Sequence, residues 1–325
     1  MVIDKSQVKR ILVITLSNVG DVILTTPVIA TLSKEFPGSR IDVMTGPVGK
    51  EVFEKDPAVF KLIIYDKHMP ISEKRRLQLK LKKLKYDLVV DLRNTIFPLL
   101  IGPKFRTATI QKFPRSLAHR RKRHLYRLKS LGIDNLEERS YIYIPKEDEE
   151  YVAELLKEAG IREPIVVINS GAKSHLKRWT LEGFAEVADR LISECKASVV
   201  FIGAEEDKDV VDKILKKMKN KPHNLVKKTN IRQLASLLKR SKLLITNDSA
   251  PLHLGCAVAA KVLAVFGPTD PKKYGPTGEF DCVVNQKLFC APCESATCKY
   301  DYECMKLILP DTVFDTAKIM VEGYE

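Results

Sequence analysis

Apolar residues recur along this chain as short unbroken runs, each followed by a small or polar turn and then by a helix-spaced segment. Residues 10–16 (Arg-Ile-Leu-Val-Ile-Thr-Leu) form the first run. Such a run predicts a parallel strand buried on both faces, because a half-exposed strand would alternate. Ser17-Asn18-Val19-Gly20-Asp21 makes a polar turn, and Val28, Ile29, Leu32 and Phe36 then fall on one helical face. Thr26-Pro27 suits the start of that helix and Pro37-Gly38 its end. Further strands are predicted at 40–44, 61–65 and 87–91, with helices between them.

The cycle restarts near residue 164. Ile165 to Ile168 reads as a strand, 180–195 as a helix, Ser198 to Ile202 as a strand and 205–219 as a charged helix. Leu243 to Thr246 and Val262 to Phe266 are two more strands. Strands alternating with helices imply βαβ units and parallel sheets. The expected fold class is α/β, with two Rossmann-like domains whose parallel sheets face a cleft. The boundary falls within 145–163, where an acidic helix (Glu147 to Glu158) precedes Gly160 and Pro164. The domains are accordingly drawn as 1–160 and 161–325.

A chain of 325 residues, 45% hydrophobic and 30% charged, has enough apolar material for two such cores and is not a disordered composition. No run approaches the roughly 18 apolar residues of a membrane span. The N-terminus lacks the apolar core and cleavage site of a secretory signal, so the cytoplasm is the expected compartment. The net charge of +14 is localised: residues 71–130 hold 18 Lys+Arg against Glu73, Asp87 and Asp91, and the remainder is close to neutral. A basic block set in a neutral chain suits an anionic partner, although a solvated basic face would read the same way.

The strand-end turns carry the candidate chemistry, since ligands of open α/β sheets bind beyond the carboxyl ends of strands. In the turn that includes Ser17, Gly20 and Asp21, Gly20 permits close backbone approach. Asp21 suits either a proton acceptor or a helix cap. Ser170-Gly171-Ala172-Lys173 with Lys177-Arg178-Trp179 suits a pyrophosphate or is a solvated basic loop. In Asn247-Asp248-Ser249-Ala250-Pro251-Leu252-His253, Asp248 and Ser249 can cap a helix while the amides of Ser249 and Ala250 face a phosphate. His253 one turn inward is a structural residue or a helper. Gly267-Pro268-Thr269-Asp270-Pro271 is a rigid turn. No G-x-G-x-x-G is present, which disfavours a dinucleotide cofactor.

Taken jointly, these segments resemble glycosyltransferase family 9, the ADP-heptose-dependent heptosyltransferases of the lipopolysaccharide inner core. The matching pieces are Leu16 to Val22, Ser170-Gly171-Ala172 with Lys177-Arg178-Trp179, and Thr246 to Leu254. Phe266 to Pro271 and Tyr274-Gly275-Pro276 complete the set. The resemblance spans nearly the whole chain. It departs at Ser170, where members often carry Pro, and at Ser249-Ala250, where they often carry Thr-Gly.

The resemblance implies a GT-B fold with acceptor on the N-terminal domain, donor on the C-terminal one and a terminal helix packing back on the first. It also implies inverting displacement with no required metal and no cofactor beyond the ADP-sugar substrate. By position, Asp21 is the expected base, Lys177 and Arg178 meet the donor diphosphate, and Glu205 meets the ribose. Asp248 meets the heptose hydroxyls, Ser249 and Ala250 the phosphates, and His253 assists that loop. The acceptor, ending in Kdo or in a first heptose, is an anionic lipid at the cytoplasmic face of the inner membrane, reached as a peripheral protein.

Ser17, Gly20, Arg120, Arg121 and Arg123 are the acceptor-side candidates. The stretch 74–85, with Leu77, Leu79, Leu81 and Leu84 among its cations, is expected as an amphipathic membrane-facing piece. A nucleic-acid partner for the basic block is disfavoured, because interleaved aromatics for stacking, such as Phe105, Phe113 and Tyr126, are few. A transferase using another nucleotide-sugar or a protein acceptor fits the same motifs. The series Cys290, Cys293, Cys298 and Cys304 leaves metal binding, disulfides and free thiols open, and no metal ligand is assigned.

Overall fold

The computed structural model describes residues 3–15 and 17–323. Leu16, the last residue of the first apolar run, lies outside the described residues. The chain divides into two compact units, Met1–Tyr143 and Ile144–Glu325.

The first unit is a five-stranded parallel sheet: β1 (Arg10–Ile14), β2 (Arg40–Thr45), β3 (Lys61–Ile64), β4 (Leu88–Asp91) and β5 (Phe105–Arg106), in the order β3-β2-β1-β4-β5. β1 sits at its centre, paired with β2 and β4. Its residues 11–14 are buried on both faces, which is why the run carries no polar alternation. The predicted helix forms over Thr26–Glu35, with Thr25 in the N-cap position and Pro27 in the first turn. Thr25 Oγ1 bonds Val22 O (2.6 Å) and Thr15 Oγ1 (2.5 Å), turning the chain between the helices Val19–Ile23 and Thr26–Glu35.

The second unit repeats the plan with one more strand: β6 (Ile165–Asn169), β7 (Ser198–Ile202), β8 (His223–Asn224), β9 (Leu243–Asn247), β10 (Val262–Phe266) and β11 (Cys282–Asn285). Their order is β11-β10-β9-β6-β7-β8. In each sheet the first two-strand crossover runs one way from the central strand and the next runs the other. The order therefore reverses between β1 and β4 and between β6 and β9. Such switch points leave a crevice beyond the strand ends.

Two expectations need correction. The unit boundary lies at 143/144, not near 160, because the acidic helix Lys146–Glu158 belongs to the second unit. Its Asp148 accepts from Arg232 Nε at 2.7 Å, and both side chains are buried. The terminal helix Pro310–Glu322 contributes to the core of the second unit. Its Val313, Phe314, Ala317, Met320 and Val321 fill the second unit's core beside Phe184 and Leu191. The stretch 74–85 lies on the helix Ile71–Lys83, and most of its leucine face is spent internally. Leu81 is buried and Leu77 and Leu84 pack against Leu12, Val89 and Phe97, leaving Leu79 exposed. Residues 77, 81 and 84 share a helical face, and Leu79 points elsewhere.

Candidate functional site

The sites are built at the two switch points. In the second unit, β6 ends in Asn169 and β9 in Asn247, and their side chains tie the two loops together. Asn247 Nδ2 donates to Ser170 O (2.9 Å), and Trp179 N donates to Asn247 Oδ1 (3.0 Å). Asn169 Nδ2 donates to Gly171 O and to Ser249 Oγ, both at 2.9 Å. Gly171 is needed for close approach, because a Cβ there would collide with the Asp207 carboxylate. Trp179, buried, is held by Nε1 donating to Ile308 O (3.1 Å).

Within that frame the expected donor residues separate into a cluster and an outlier. Lys177 Nζ donates to Asp248 Oδ2 at 2.6 Å, and Thr269 Oγ1 donates to the same oxygen at 2.7 Å. Asp248 is 6% exposed, while the Lys177 side chain keeps 30% of its surface in solvent. The ammonium also sits 5.9 Å from the centre of the Tyr274 ring. Asp248 is thus held by tertiary partners and does not cap the following helix. Ser249 occupies the N-cap position of the helix Ala250–Ala257 without capping it. Its hydroxyl donates to Asn247 O (3.2 Å) and accepts from Asn169. First-turn amides without a side-chain cap, including that of Ala250, suit an anion.

A pocket lined by Ser174, Lys177, Thr269, Tyr274 and Glu294 opens beside Lys177. Arg178 stands at the edge of the cluster, with Nε on Ala172 O at 2.9 Å. His253 is buried inside the helix, a structural position. Glu205 lies beyond β7, exposed and ion-paired with Lys227, which holds its carboxyl below the usual range. It does not join the Lys177–Asp248 cluster but occupies the same carboxyl-end edge, one strand away from β6.

In the first unit, Asp21 follows β1 in the opening turn of the helix Val19–Ile23, half-buried. The N-cap is Asn18, whose Nδ2 donates to Asp21 Oδ2 at 3.1 Å, so Asp21 is not the cap. Ser17 packs against Gly46, and Gly20 lies between Ser17 and Asp21 on the same turn. At the end of β4, the other side of the switch point, Asp91 accepts from the amides of Arg93 (2.8 Å) and Thr95 (2.5 Å).

The basic helix is Arg120–Lys129. Arg120 is exposed, Arg121 half-buried, and Arg123 is anchored by Nε on Leu117 O (2.8 Å) and by the Phe113 ring. The cation that reaches the strand edge is one not singled out from sequence. Arg127, buried, donates to Asn94 Oδ1 at 2.7 Å, and burial holds its guanidinium below the ordinary value. Its i, i+4 offset from Arg123 puts the two on one face of the helix Arg120–Lys129. Asn169, Asn247 and Thr269 belong to the strand-end turns read from sequence, but as uncharged residues they received no role of their own, since that role depends on tertiary contacts. Among the described residues no helix is long and apolar enough to cross a membrane.

The model of glycosyltransferase family 9 (heptosyltransferase) matches residues 103–303. The chain is 28% identical to lipopolysaccharide heptosyltransferase 3 of Escherichia coli, covering 77% of this chain and 81% of that protein. It is 24% identical to lipooligosaccharide heptosyltransferase 2 of Campylobacter jejuni over 94% and 96% of the two. The crystal structure of a family 9 glycosyl transferase from Veillonella parvula superposes with a TM-score of 0.84 at 26% identity, over 97% of each chain. The E. coli ADP-heptose lps heptosyltransferase II structure superposes with a TM-score of 0.77 at 21% identity, covering 96% and 98%, a likeness of fold.

Proposed function

From the premise that this chain belongs to glycosyltransferase family 9, matched over residues 103–303, we propose that it transfers heptose from ADP-heptose to the inner core of lipopolysaccharide. The first unit binds the acceptor, ending in Kdo or in a first heptose, and the second binds the donor. The observation that carries the reading is the Lys177–Asp248–Thr269 cluster beside the uncapped helix Ala250–Ala257, at the switch point of the second sheet. The names of the curated relatives support the heptosyl donor.

Departure of ADP builds negative charge on the β-phosphate, which requires positive groups already in position. Lys177 has three donor hydrogens, so it serves a phosphate while keeping its bond to Asp248. The amides of Ser249 and Ala250 add the helix N-terminus. Asp248, with one oxygen engaged by Lys177 and Thr269, has its other oxygen for a sugar hydroxyl. Arg178 and Glu205 complete the nucleotide side, and no metal ion is required. On the acceptor side Asp21 takes the proton of the attacking hydroxyl, and Asn18 orients its carboxylate.

Arg120, Arg121 and Arg123, with Ser17 and Gly20, bind the acceptor's anionic groups. The wider basic surface holds the protein peripherally at the cytoplasmic face of the inner membrane, at about 1 kcal/mol per cation near anionic lipid. The contacts that Phe113 and Tyr126 make with one another and with arginine favour a lipid over a nucleic-acid partner. Their rings lie 6.1 Å apart, and Phe113 is covered by Arg123 and Arg127.

Calorimetric titration with ADP, ADP-heptose and UDP tests the donor. Binding of ADP and ADP-heptose with UDP at least tenfold weaker is expected. A preference for UDP would keep the family and discard the heptose donor.

A further inference from the structure

The segment 286–302, between β11 and the helix Glu303–Lys306, contains no helix or strand, and its second half is almost wholly exposed. It carries Cys290, Cys293 and Cys298, and Cys304 lies just beyond it. All four are free thiols, and all four line one pocket together with Leu176, Pro268, Tyr300 and Tyr302. The amides of Tyr300 (3.4 Å) and Tyr302 (3.3 Å) both donate to Cys298 Sγ. Holding them there takes left-handed backbone at Asp301 (φ 48°) and Tyr302 (φ 61°), and Glu294 after Cys293 is left-handed too (φ 51°). Each such non-glycine residue costs on the order of 1 kcal/mol. Two amides aimed at one sulfur hold it in place at the pocket wall. Four thiols gathered at one pocket are a soft donor set that suits a thiophilic cation.

We propose that Cys290, Cys293, Cys298 and Cys304 form a four-thiolate structural site for one thiophilic divalent cation, zinc or ferrous iron. The two-residue spacer between Cys290 and Cys293 suits a pair of ligands from one turn. Among the described residues no three such side chains yet stand around a common point. Binding therefore requires the four thiols to turn into the pocket they line. Four thiols lose four protons and the cation gains four sulfur ligands, with no change of oxidation state.

The ion stands apart from the transfer reaction and does not depend on the donor's identity. It fixes a segment that supports the donor loop. Glu294 N donates to Pro268 O (2.8 Å), and Glu294 pairs with Lys273 (2.7 Å). A Cβ at Gly267 would collide with Met305 and press on Cys304 Sγ, so Cys304 lies directly against the turn that carries Thr269.

The test is elemental analysis of the full chain, purified under reducing conditions without chelator, together with the absorption spectrum after loading with Co²⁺. About one zinc or iron per chain is expected, with a thiolate-to-cobalt charge-transfer band. Cys293→Ser and Cys298→Ser, both at exposed positions, are expected to lower metal content at least fivefold, while Cys195→Ser retains it. Should a variant fail to fold, the cobalt spectrum of the unaltered chain still decides. Less than about 0.1 equivalent after anaerobic loading with zinc, absence of the cobalt band, or full metal content in both serine variants would overturn the proposal.

Discussion

Replacing Lys177 by alanine removes the stronger of the two donors that hold Asp248. The bond is 2.6 Å long and links a 6% exposed carboxylate to a side chain that is 30% exposed. A hydrogen bond between charged groups contributes roughly 1.5–3 kcal/mol. Water reaches the lysine side, so about 1–2 kcal/mol is the expected loss. For a unit of this size that lowers Tm by about 2–8 °C. The same lysine is assigned to the donor diphosphate, so ADP affinity should fall about 10- to 100-fold, the worth of one charge-assisted contact. Asp248→Asn separates the two roles. It breaks the ion pair but removes a negative charge beside the diphosphate, so ADP binding should hold within threefold or tighten. Differential scanning fluorimetry and calorimetry on both variants read these quantities. Lys177→Ala binding ADP within twofold of the parent chain, or Asp248→Asn weakening ADP as much as the alanine variant does, would refute the assignment of Lys177 to the diphosphate.

Buried His124 is pushed down to about 3, chiefly by burial, with Arg127, Arg120 and His119 adding repulsion. The unfolded chain then binds the proton first as pH falls below about 6.5. Stability should decline toward acid pH, by about 1 kcal/mol between pH 7 and 5.5. Urea unfolding of His124→Gln should lack that component; an identical pH slope in parent and variant would refute it. Asp148→Ala leaves Arg232 buried without its carboxylate, and equilibrium unfolding should show a loss of about 3–5 kcal/mol. A loss under 1 kcal/mol would argue against counting the helix Lys146–Glu158 in the second unit.

The central strands were legible because each is buried on both faces and so reads as an unbroken apolar run, as at Ile165–Asn169 and Val262–Phe266. The edge strands Phe105–Arg106 and His223–Asn224 have two residues each, too few to form a pattern. The boundary was misplaced because Gly160 and Pro164 mark a turn, whereas the Asp148–Arg232 pair, 84 residues apart in sequence, sets the unit. Asp248 was legible as a strand-end acid. Its partners were not, since a pairing between Lys177, Thr269 and Asp248 exists only once β6, β9 and β10 lie side by side. The basic block was visible as charge. Only the fold shows that Arg127 turns inward while Arg120 faces water, and that Leu77, Leu81 and Leu84 serve a core.

The central claim is heptosyl transfer with Asp21 as base, and one assay addresses it directly. Purified chain is incubated with ADP-heptose and an inner-core lipopolysaccharide acceptor lacking heptose, or bearing only the first, and product is followed by mass spectrometry. The account predicts addition of one heptose by the parent chain. It also predicts a rate reduced about 10²- to 10⁴-fold in Asp21→Asn, with ADP binding unchanged. Asp21→Asn turning over at the parent rate, or no heptose addition to either acceptor by a chain that binds ADP, would contradict it.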